Sequence, residues 1–236
     1  KEGDWVRVKP YAEILATCNV DNKNRGMGFD AEQVPYCPAY FLCGTPLESA
    51  AGAEGLREIN IERARALLRE AGYNGERVVF LNAADWSANN AVVLTMAANM
   101  RRAGLNMDVV ASDWATVTQR RNRREPIDQG GWNLFVTIAN VLDAQNPLVN
   151  VYLAATCEAA PAGWPCDAEL ERLRASWWEE SDPAKRREIL ERVHARAYQV
   201  LPYINGGQYR VLTAHRANIE GLRPTIIPVF WGVTKR

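Results

Sequence analysis

The sequence predicts an α/β fold with a mixed, mainly parallel sheet flanked by helices, and three observations carry that expectation. The stretch from 77 to 111 reads strand, helix, strand. Helical stretches with one apolar stripe stand on either side of it. Glycine, Asn-Gly and proline punctuation separates the segments at the spacings that α/β units use.

Residues 1–55 are irregular. A short helix is expected through Tyr11 to Thr17, followed by the polar, glycine-bearing run Asn19 to Asp30 and a cysteine-flanked piece ending in Gly44-Thr-Pro46. A loop of this length calls for a task or a staple. Regularity begins at Asn60, the expected N-cap of a helix from Ile61 to Ala71. Its apolar positions 61, 64, 67, 68 and 71 form one stripe, and Gly72 stops it. Asn74-Gly75 is a turn, and Arg77-Val-Val-Phe-Leu-Asn82 reads as a buried strand. Ser87 to Ala103 is the second helix, with Val92, Val93, Met96 and Met100 on one face and Gly104 at its end. Leu105 to Ala111 then alternates as a strand, which completes a βαβ unit and so a parallel pair with a right-handed crossover.

A further helix is expected from Trp114 to Arg124, leading to a strand from Trp132 to Thr137 whose entry Gly130-Gly131 loosens. Asp167 is the expected N-cap of a helix from Ala168 to Glu180, with Leu170, Leu173 and Trp177 on one side. Asp182-Pro183 opens another, with Ile189, Leu190, Val193, Ala197 and Val200 buried. Tyr203 to Ala214 reads as a strand broken at Gly206-Gly207. Apolar residues from Ile219 to Arg236 alternate between Gly221, Pro224 and Pro228 and lack an obvious partner.

Composition excludes several functions. The 236 residues suit one large domain or two small ones. Lys+Arg and Asp+Glu number 28 each, so no excess charge points to nucleic acid or an anionic membrane. The cluster Arg120-Arg-Asn-Arg-Arg124 reads as a solvated helix end favoured by the helix dipole. No run approaches the length of a membrane span. Lys1-Glu-Gly-Asp-Trp5 has no apolar signal core, so any import signal is expected upstream.

Of five cysteines, Cys37 and Cys43 form one closely spaced pair in turn-rich sequence, and Cys157 and Cys166 form another. Two disulfides are expected, each worth roughly 2–3 kcal/mol by loop closure. That places the chain in an oxidising compartment. Zinc is the competing reading, but C-x5-C and C-x8-C are poor ligand spacings and both histidines lie elsewhere. Cys18 reads as a small buried hydrophobe.

Catalytic motifs are nearly absent: there is no nucleophile elbow, zinc-protease motif, P-loop or dinucleotide fingerprint. His194 and His215 read as structural residues. No cofactor and no metal are expected. Acids with aromatic neighbours follow the strands instead: Asp85-Trp86 after the first, Asp113-Trp114 after the second, Asp143 after the third. This is the sheet edge where α/β proteins hold ligands. The candidate ligand-binding residues are Asp143, Asp85, Trp86, Trp114, Trp132 and Tyr209. Tryptophan offers a flat apolar wall with one donor, though for any single one core packing is the better reading. An acid on a loop leaving a buried strand can be shielded enough to hold an ammonium group.

The order of landmarks is similar to that of the family 5 solute-binding proteins of ABC importers, the dipeptide, oligopeptide, nickel and opine class. They are Cys43-Gly-Thr-Pro46, Ala64-Arg-Ala-Leu-Leu-Arg-Glu-Ala-Gly-Tyr73, Asp113-Trp114 to Arg121, Gly130-Gly-Trp-Asn133, Asp143 to Pro147, Val200-Leu-Pro-Tyr203, Gly207-Gln-Tyr209 and Pro228 to Val233. The resemblance implies the C-terminal lobe of a type II periplasmic-binding fold. In it 1–55 would be an irregular disulfide-bearing segment of the lobe, 56–218 the solute-binding lobe, and 219–236 a tail returning to an N-terminal lobe outside this chain. It further implies a monomer outside the cytoplasm, free or anchored, that passes a peptide or other amino-bearing solute to permease subunits. Several peptide-binding members place an aspartate four residues before a proline to pair with the ligand's amino group, which matches Asp143. The chain departs from some members in lacking a second acid before Pro147. The alternatives are a carboxylate-dependent α/β enzyme with Asp85 as base, and a non-catalytic interaction module.

Overall fold

A computed structural model of the chain describes residues 40–41, 44–54, 59–205, 216, 218–223 and 229–236. Helix α1 (Ile61–Glu70) begins at Asn60, whose side-chain oxygen accepts the Arg63 amide. It ends where Tyr73 N donates to Leu68 O and Gly72 N to Arg69 O, a reversal that needs the left-handed Gly72 at φ 72°. Strand β1 (Arg77–Ala83), α2 (Ser87–Ala103) and β2 (Asn106–Ser112) follow, within a residue of the expected bounds.

The sheet runs β2-β1-β3, with β3 (Leu134–Phe135) parallel to β1 as β2 is. Arg77 opposite Asn106 and Phe80 opposite Leu134 fix the register. Central β1 is buried from Val78 to Ala83 because both faces are covered. Val78 and Phe80 pack with Leu67, Leu68, Val93, Ala97 and Met100 of α1 and α2. Val79, Leu81 and Ala83 face the other way, onto Val117 and Trp132. One strand thus serves two cores through its period of two.

The differences from expectation have physical causes. The third strand spans two residues, not the six from Trp132 to Thr137: at its start the Asn133 side-chain oxygen accepts the Val79 amide in place of a backbone carbonyl, and past its end Val136 O accepts from Asn89 Nδ2. Ala111, expected to point inward, is exposed because β2 is the edge strand. Helix α3 (Trp114–Arg120) stops short of Arg124. The arginines at and beyond its end are drawn to loops: Arg120 donates to Gly130 O and Gly131 O, and Arg124 to Glu158 O while lying over Trp164. The basic cluster therefore ties loops rather than merely facing water. At Gly131 a Cβ would collide with the carbonyls of Glu125 and Pro126, so a glycine is required there.

Helices α4 (Ala168–Glu179) and α5 (Pro183–Val200) start at Asp167 and Asp182 as expected. Leu170, Leu173, Trp177, Leu190, Val193 and Ala197 close a third core on Tyr40 and Phe41. Cys157 and Cys166 form a disulfide beside the Thr156–Cys166 bridge. In the tail, β4 (Ile219–Glu220) pairs antiparallel with β5 (Thr234–Lys235). The expected Tyr11–Thr17 helix, Cys18, the Cys37–Cys43 pair, His215, Tyr209 and most of the expected 203–214 strand lie outside the described residues; Tyr203 to Asn205 are described and form no strand.

Candidate functional site

At the C-terminal ends of β1 and β2 the two following turns are tied together. Trp114 N, the first amide of α3, donates to Asp85 Oδ1 at 2.9 Å, and the Trp86 and Trp114 rings meet edge to face at 5.2 Å. Asp113 caps the same helix, accepting the amide and hydroxyl of Thr116. Those hydrogen bonds hold its carboxyl below the usual carboxylate range. Arg121 lies 5.7 Å from the Trp114 ring. Asp85, Trp86 and Trp114 are thus brought together, with both acids exposed and both rings half-buried.

The path from β3 is anchored to the same edge. Buried Asn89, near the start of α2, donates from Nδ2 to Val136 O at 2.8 Å. The chain then reaches a short 3-10 turn, Val141–Ala144, that carries Asp143. Asp143 is exposed. The expected shielding is therefore not supplied by the described residues, because its turn lies on the surface beyond the sheet. Trp132 also departs from the expectation of a ligand wall. At 8% exposure it packs on Phe135 and Trp164 in the interior, since it precedes β3 and points into the core below the edge.

Below Asp143 the backbone is fixed by residues that sequence reasoning did not single out. Arg174 of α4, 5% exposed, donates to Pro147 O (2.7 Å), Leu148 O (3.1 Å) and Asn150 O (3.3 Å). Glu171 Oε1 lies 2.5 Å from its Nη1. Asn150, fully buried, donates to Tyr40 O and to Tyr203 Oη and accepts the Tyr152 amide. Burial raises the Tyr203 phenol well above its ordinary value, so it stays protonated. The signal available in sequence was an arginine on the expected buried side of a helix, one position from Leu173.

The described residues include no group of three or more metal-ligating side chains and no helix long and apolar enough to cross a membrane. A shallow cleft of about 320 Å³ is lined by Thr116, Gln119, Arg120, Arg123 and Gly130, with Thr116 the residue whose amide and hydroxyl Asp113 accepts.

No family model matches the chain. Over 174 residues, 74% of the chain and 33% of the relative, it is 33% identical to a probable peptide ABC transporter periplasmic-binding protein of Sinorhizobium fredii. It is similar in structure to a dipeptide-binding protein of a Pseudoalteromonas species in complex with Met-Leu, with TM-score 0.70 and 15% identity over 99% of this chain and 46% of that one. NikA of Staphylococcus aureus, in complex with Ni(L-His)2, gives TM-score 0.71 and 14% identity over 97% of this chain and 48% of that one. The chain spans about a third of the length of the curated relatives it matches. These relatives are transport proteins rather than enzymes, and the structural neighbours share its type II binding-protein lobe architecture.

Proposed function

Because the chain belongs to the family 5 solute-binding proteins of ABC transporters, we propose that it is the C-terminal lobe of a receptor capturing an amino-bearing solute, a peptide first, outside the cytoplasm. The observation that carries this is the placement of Asp143: an exposed carboxylate on a turn whose following backbone is locked by Arg174 and Asn150. A fixed carboxylate with no ion pair among the described residues suits a ligand ammonium group, because little ordering is left to be done on binding. Shielding would come from a second lobe closing over the face by hinge motion. Trp86 and Trp114 would line the adjoining wall, with Asp85 serving the frame, and Tyr209 remains a candidate contact from the sequence. Trp231, 88% exposed, and its neighbour Phe230 would pack on that second lobe. Permease subunits would receive the solute. The disulfide fits an oxidising compartment.

The test is calorimetry of the complete protein against di- and oligopeptides, opines and nickel, with Asp143→Asn alongside. A peptide should bind, and the variant should lose at least tenfold in affinity. Unchanged affinity removes Asp143 from the site.

A further inference from the structure

We propose that Arg174 is a positioning residue for the solute-binding turn, holding Asp143 in its binding geometry through the backbone of 147–150; this rests on the proposed reading of Asp143. The argument begins with cost. An arginine withdrawn from water needs all of its donors used. Here three of its contacts are backbone carbonyls of one short stretch, Pro147, Leu148 and Asn150. Its counter-charge, Glu171, sits one turn earlier on α4 and also accepts the Ala155 amide on the far side of the same loop. The guanidinium's planar fork reaches these three carbonyls from two separate nitrogens, a spread that the single nitrogen of a lysine ammonium does not have.

That grip reaches Asp143 through a short and stiff connection. Asn146 Oδ1 accepts the amides of both Leu148 and Val149, Asn146 O accepts the Asn150 amide, and Pro147 has a fixed φ. Asp143 N bonds back to Asn140 O, which closes the turn immediately upstream. Turning the carbonyls inward leaves Leu148, Val149 and Val151 exposed on the same segment as Asp143. A helix thus fixes a loop that carries the ligand-facing charge, which is the support such a site requires. Without it, the turn must be ordered when solute binds and affinity falls.

The experiment is a double-mutant cycle on the complete protein. Retention of an equimolar mixture of free-amino di- and tripeptides is measured against its N-acetylated counterpart. The proteins are wild type, Asp143→Asn, Arg174→Gln and the double variant, each corrected for folded fraction by circular dichroism. Arg174→Lys replaces Arg174→Gln throughout if the latter does not fold. Amide exchange at Leu148, Val149 and Asn150 is followed in parallel. Each single variant should retain free-amino peptides about tenfold less than wild type. In the double variant the Arg174 change should add no further loss, and the three amides should exchange at least tenfold faster without a change in β1. If Asp143→Asn weakens binding while the Arg174 variants bind normally, the positioning role is overturned and the receptor reading stands. A fully additive cycle or unchanged loop exchange has the same consequence. If wild type retains no free-amino peptide, or Asp143→Asn binds as wild type does, both readings fall.

Discussion

The carboxylate of Asp85 accepts the backbone amide of Trp114, so the turn leaving β1 is fastened to the first residue of α3. Both turns follow parallel strands, and the bond aligns their tryptophans. A side chain with this duty acts as an acceptor, for which its charge is incidental. Asp85→Asn, which keeps an acceptor oxygen, should leave stability and solute binding close to wild type. Asp85→Ala should lose about 1 kcal/mol of stability. Denaturant midpoints of the two variants check this, and a large binding loss in Asp85→Asn would return the acid to the site.

His194 is 0% exposed in α5, with its Nδ1–H donating to Leu190 O and its ring against Phe41. Burial lowers its pKa from 6.5 to about 4. The folded state therefore favours neutral imidazole, and the unfolded chain takes the proton first as pH falls below 6.5. Stability present above that value is lost between about pH 6.5 and 4, by roughly 3 kcal/mol in all. Urea unfolding at pH 7 and pH 5 should show a loss near 2 kcal/mol in wild type that His194→Gln lacks.

The Cys157–Cys166 bond closes a loop of sequence separation 9, and Cys157 N donates to Pro165 O within it. Chain-entropy arithmetic gives roughly 2.5 kcal/mol for such a closure. Reduction by dithiothreitol, or the double Cys157→Ala and Cys166→Ala variant, should lower the unfolding free energy by that amount and move the midpoint down accordingly. A midpoint indifferent to reductant contradicts the bond's contribution.

Asp167 serves two helices at once. It caps α4 through the Leu170 amide and pairs with Arg196 of α5, whose pKa the Asp167 hydrogen bond raises. Asp167→Ala should cost about 2 kcal/mol, the cap and the half-buried pair together. Arg196→Met should cost about 1 kcal/mol or less, since the cap survives. Equal losses in thermal or denaturant unfolding would show that the cap contributes nothing.

What the chain's own pattern determined was local. Asn60, Asp167 and Asp182 as caps, Gly72 and Gly104 as stops, and the continuous apolar run from Val78 to Leu81 specify elements because hydrogen-bond geometry and burial on both faces act over a few residues. The α/β class followed from their order. Three things were decided only in the folded molecule: that Trp132 is interior, that Asp85 is a tie, and that Arg174 grips residues 24 to 27 positions away. The first depends on which side chains the assembled layers bring against it, and the other two on which backbone groups are left unpaired once strands and helices are in place. That is a property of the assembled chain, and no window of its sequence contains it.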